Sequence, residues 1–90
     1  MREEVRAMMI EVLGTGCAKC NKLEAMAKAA AAKLGVPHEI THVQDINAIV
    51  QRGVMTTPAL AIDGRIVVSG RLPSEAELAS WLEAESNMQD

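Results

Sequence analysis

The spacing of apolar side chains changes several times along the chain, and each change marks an element. Met8 to Leu13 is an almost continuous apolar run broken only by Glu11, the pattern of a central strand covered on both faces, and it ends at Gly14. From Ala18 to Leu34, Cys20, Leu23, Ala27, Ala30 and Leu34 recur every three or four residues, which predicts one buried helical face. The Ala29 to Ala32 run favours helix, and Gly35 and Pro37 stop it. His38 to Val43 is a short strand. Asp45 caps a brief helix in which Ile46, Ile49 and Val50 share a face, and Gly53 ends it. Ala59 to Ile62 and Arg65 to Ser69 flank Asp63-Gly64, whose positive φ angles suit a two-residue hairpin turn, so that pair is antiparallel. After Gly70 and Pro73, Ser74 and Glu77 read as a capping box. Leu78, Trp81 and Leu82 form the stripe of a last helix, with fraying expected from Ser86.

The order β-α-β-α-β-β-α joins a parallel crossover to a hairpin, which predicts an α/β three-layer sandwich: one four-stranded mixed sheet with helices on both faces. No linker or repeat divides the 90 residues, so a single domain over 1–90 is expected, with its core from about 8 to 85. A chain this short hides only about 60 to 65% of its unfolded surface. With one Trp, Trp81, and no Phe or Tyr, that core must be filled by Ala, Val, Ile, Leu and the six Met.

Charge narrows the field. The net charge is −3 and the basic residues are scattered, which gives no footprint for nucleic acid, and no aromatic surface is available for stacking bases. No apolar run approaches the eighteen or so residues of a membrane span, and the charged stretch from Met1 to Ala7 lacks a signal-peptide core, so a cytoplasmic protein is expected. In that reducing compartment Cys17 and Cys20, two residues apart, suit redox exchange or metal binding better than a permanent staple. They fall between the first strand and its helix, at the strand end where α/β sheets place their sites.

Gly14-Thr15-Gly16-Cys17-Ala18-Lys19-Cys20 after a strand, with Thr56-Thr57-Pro58 before a hairpin, resembles the thioredoxin-like fold, most closely its short glutaredoxin-sized members. The resemblance spans Met8 to about Leu82. It departs from the family at Gly16, where a tryptophan is usual, and at Ala18-Lys19, where Gly-Pro is usual. Ser69-Gly70-Arg71-Leu72-Pro73 stands in place of the Gly-Gly-acidic turn of glutathione-using glutaredoxins, which favours protein dithiol exchange.

Physical chemistry supports the same reading. A thiolate attacks disulfides and a thiol barely does, so the attacking group needs stabilised negative charge. Cys17, at or before the first helical turn, has unpaired backbone N–H groups and the helix dipole beside it, with Lys19 and Lys22 adding positive charge. It is the expected nucleophile. Cys20, one turn deeper and aligned with Leu23 and Ala27, is the expected resolving thiol.

The resemblance further implies a cis Thr57-Pro58 bond packed beside the cysteines, Thr57 backbone receiving an extended substrate, and Gly70 leaving room for it. It also makes Glu11, six residues before Cys17, a candidate proton relay for Cys20, against a reading in which its carboxylate simply reaches water. The implied function is thiol-disulfide oxidoreduction, a disulfide reductase supplying electrons to a monomer that acts on disulfide-containing proteins, with no cofactor and no metal.

The alternative is a soft-metal chaperone domain. The same cysteine loop also looks like that of copper chaperones, although those usually carry Met where Thr15 stands and lack the Thr57-Pro58 entrance. Cys17, Cys20, His38 and His42 imitate a zinc set only superficially, since seventeen residues separate Cys20 from His38 and the histidines read as solvated strand residues. Glu3, Glu4, Glu83 and Glu85 read as solvated terminal charges, and Met8, Met9, Met26 and Met55 as core filler, with Met55 able to line the substrate groove.

Overall fold

A computed structural model of the chain describes residues 7–16 and 18–88. The elements run β1 (Met8–Leu13), α1 (Ala18–Leu34), β2 (His38–Val43), α2 (Ile46–Gln51), β3 (Ala59–Ile62), β4 (Arg65–Ser69) and α3 (Glu75–Met88). The sheet order is β2-β1-β3-β4. β1 pairs in parallel with β2, Met8 opposite His38 through Leu13 opposite Val43. It pairs antiparallel with β3, Leu13 opposite Ala59, and β3 pairs antiparallel with β4 across an irregularity between Leu60 and Ala61. Asp63 at φ 50° and Gly64 at φ 88° make the expected hairpin turn.

Alternation along the strands sends side chains to two unequal layers. Met8, Ile10, Val12, Leu60, Ile62 and Val68 meet Leu23, Ala27 and Ala31 of α1 and Leu78 and Leu82 of α3. On the other face Leu13, Ala59 and Ala61 meet Ile49 and the following Val54. Among the described residues one layer thus has two long helices, the other a single helix of six residues.

That inequality corrects several expectations. Within α2 only Ile49 is buried, while Ile46 and Val50 are 55% and 56% exposed, because one short turn can press only one side chain onto the sheet. Met9 points to this sparsely covered face and Met55 is 86% exposed, so neither fills the core as Met8 does. In α1 the buried stripe runs from Ala27 to Ala31, with Ala30 and Leu34 at the edge of the cluster.

At the C-terminus, α3 continues past Ser86 to Met88. Glu85 is buried rather than solvated, near Arg65 at 3.4 Å. Glu3 and Glu4 lie outside the described residues.

Candidate functional site: the β1–α1 junction

The parallel crossover and the β1–β3 pairing bring two separate loops to one end of the sheet. β1 gives way to Gly14, whose N–H donates to Val43 O at 2.9 Å, and α1 begins four residues later. Cys20 lies in the first turn of α1 with no exposed surface. Because Leu13 faces Ala59, the segment leading into β3 arrives beside Gly14.

Gly14 records how close these parts are. A Cβ there would run into Cys20 Sγ and would lie 3.7 Å from Thr57 Cβ. The thiol and the Thr57-Pro58 segment therefore flank one backbone position that has room only for hydrogen. Its place at the end of a strand was legible in the sequence; its role as a spacer needs the chain crossing.

Thr57-Pro58 is cis and Pro58 is fully buried. The N–H of Gly70 donates to Pro58 O at 2.8 Å. Gly70 sits at φ 86°, a region L side chains rarely adopt, and a Cβ there would come within 2.8 Å of Thr56 Oγ1. Thr56 is itself tied to Ser69: the two hydroxyls are 2.9 Å apart and Ser69 Oγ donates to Thr56 O. Sequence reasoning had passed over Ser69 and given Thr56 no role of its own; a hydroxyl on each side of the hairpin entrance was the available signal.

The loop after Gly70 is anchored as the capping pattern predicts. Ser74 N–H donates to Glu77 Oε1 at 2.9 Å and Glu77 N–H to Ser74 Oγ at 3.1 Å. Arg71 grips the same carboxylate with two hydrogen bonds of 3.0 Å. That guanidinium, together with the Ser74 backbone, holds the Glu77 carboxyl down at about 2.

The remaining candidates scatter. Lys19 is exposed on the first turn of α1. Cys17 lies outside the described residues. Glu11 points to the α2 side of the sheet, half-buried, and Arg52 at the C-cap of α2 donates to both its oxygens, at 3.1 and 2.7 Å. The partner was not anticipated, although a lone base after a short helix facing a strand acid was a usable hint.

His38 and His42, both in β2, are half-buried rather than solvated. His38 Nδ1 lies 2.9 Å from Val36 O, and His42 Nδ1 lies 3.1 Å from Glu24 Oε1. Among the described residues no group of three or more His, Cys, Asp or Glu is arranged to hold a metal ion, and no helix is long and apolar enough to cross a membrane.

A mixed four-stranded sheet with a cysteine in the first turn after β1 and a buried cis-proline leading into an antiparallel strand defines a thioredoxin-type fold. Residues 8–83 match the thioredoxin domain family model, and the chain belongs to that family of thiol-disulfide oxidoreductases. It is 37% identical over 75 residues to a thioredoxin of Methanothermobacter thermautotrophicus, covering 83% of this chain and 97% of that protein. It is 43% identical over 84 residues to a thioredoxin of Methanocaldococcus jannaschii, covering 88% and 96%. Among solved structures, the germline-specific thioredoxin Deadhead of Drosophila melanogaster superposes with a TM-score of 0.61 at 15% identity, covering 87% of this chain and 80% of that one, a likeness of fold.

Proposed function

We propose that the protein reduces disulfides of other proteins through a Cys17–Cys20 dithiol. The observation that carries this reading is the convergence at Gly14, where Cys20 Sγ and Thr57 meet one backbone position at the end of β1. The Cys17 thiolate attacks one sulfur of the target disulfide, forming an S–S bond to it and releasing the other target sulfur as a thiolate that takes up a proton. Cys20 then loses its proton and attacks Cys17 Sγ. The mixed disulfide breaks, the target leaves as a dithiol, and the protein keeps both oxidising equivalents as a Cys17–Cys20 disulfide. A disulfide reductase returns it to the dithiol.

Lys19, Thr57, Pro58 and Gly70 have places in this scheme, whereas Glu11 is engaged by Arg52 and is given none. Lys19, with the helix N-terminus, favours the Cys17 thiolate. Thr57 offers backbone to an extended target segment, Pro58 keeps the site floor closed, and Gly70 leaves the far wall open.

The test is reduction of insulin disulfides driven by dithiothreitol. Cys17→Ser abolishes turnover, whereas Cys20→Ser accumulates mixed disulfides visible by mass spectrometry. Retained turnover in Cys17→Ser, or equal trapping by both variants, overturns the assignment.

A further inference from the structure

The layer opposite α2 carries a groove of about 470 Å³ between α1 and α3, away from the dithiol end. Its floor is apolar and low, formed by Met26, Ala29, Ala30 and Leu34 of α1 with Leu78 and Ala79 of α3. Its rim holds Lys33 on one side and Glu75 and Glu83 on the other.

The charges of the two helices are segregated. α1 carries four lysines against one glutamate, net +3, and α3 carries four glutamates and no base, net −4. Two of the α3 acids are matched locally, Glu77 by Arg71 and Glu85 by Arg65. Lys33, Glu75 and Glu83, which line the groove, enter no ion pair among the described residues.

From this we infer that the α1–α3 face associates with a second copy of the same chain, in place of the expected monomer. A surface that is basic on one side of an apolar groove and acidic on the other complements itself under two-fold rotation. The rotation sets the α1 edge of one copy against the α3 edge of the other, so each Lys33 faces its partner's acidic rim and each groove floor is covered. Small side chains at Ala29, Ala30 and Ala79 allow the helices the usual close approach of about 8 to 10 Å.

Helices about 21 to 25 Å long and about 10 Å wide offer on the order of 500 Å² per copy, so about 1,000 Å² is buried in all. That is the low end for a specific contact. It corresponds to a reversible dimer with a dissociation constant on the order of micromolar to 100 μM. The dithiol end stays free, so exchange does not depend on it.

Sedimentation velocity of the purified chain from about 5 to 500 μM tests this, with dimer expected to grow with concentration and to weaken at about 0.5 M salt. Lys33→Glu, and separately the pair Glu75→Lys with Glu83→Lys, each weaken self-association by about tenfold or more. An equimolar mixture of the two variants forms a heterodimer, since both of its contacts again join opposite charges. These positions are exposed and circular dichroism confirms that each variant folds. Ala29→Trp, which fills the groove, abolishes the dimer independently of charge. A monomer across the whole range, or a mixture that associates no better than either variant alone, overturns the proposal.

Discussion

At the scale of single residues the site depends on what is missing as much as on what is present. Gly14 carries no side chain because Cys20 Sγ occupies the volume a Cβ would need. Gly14→Ala must push the first turn of α1 away from the strand end, and overpacking of this kind costs about 1 to 3 kcal/mol. The expected outcome is a lower denaturation midpoint together with faster alkylation of Cys20 in the reduced protein, as the thiol loses its cover. An unchanged midpoint with unchanged Cys20 protection would show that the neighbouring backbone yields without cost. Gly70 is constrained differently, by its positive φ as well as by Thr56.

At the scale of elements, α3 carries carboxylates shifted in opposite directions, and these give its docking a pH signature. Glu77 titrates at about 2 in the folded protein against an ordinary 4.5, so its contribution is present above about pH 4.5 and fades as pH falls toward 2. Glu85 is the reverse case. A hydrogen bond to Asp63 and burial raise its pKa, so the stabilisation it gives in its protonated form is complete below 4.5 and is lost as pH rises through the raised value. Glu85→Gln keeps a neutral donor for Asp63 and removes the charge. Thermal melts should therefore show this variant at least as stable as the parent at pH 7, with the advantage gone below about pH 4.5. Arg71→Ala should leave the melt little changed at pH 2 and lower it at pH 6, whereas a uniform drop at both would mean that packing, not charge, anchors the loop.

At the scale of the whole molecule, the two faces of the sheet are held by different means. The α1–α3 face is a continuous apolar layer. The α2 face has a small cluster and relies on the paired hydrogen bonds from Arg52 to Glu11 to bind the end of α2 to β1. Removing the guanidinium leaves a half-buried carboxylate unmatched, so Arg52→Ala is expected to destabilise the protein by about 1 to 3 kcal/mol. The companion Glu11→Gln should cost less, because the amide keeps one acceptor for the arginine. Urea melts of both check this, and equal losses would remove the distinction.

Periodicity and punctuation along the sequence determine the elements themselves, because the apolar run of β1, the helical spacing of α1, the Asp63-Gly64 turn and the Ser74–Glu77 cap are local properties of a few neighbouring residues. The two motifs at Gly14 to Cys20 and Thr56 to Pro58 were legible for the same reason. Which residues meet across the fold was not. That Ile46 and Val50 stay exposed follows from α2 being, among the described residues, the one helix on its face. That Glu85 is buried follows from α3 reaching the β3–β4 turn, and that Arg52 finds Glu11 follows from the return of the chain after α2. These pairings join residues twenty or more positions apart, and only the packing of the layers against one sheet decides them.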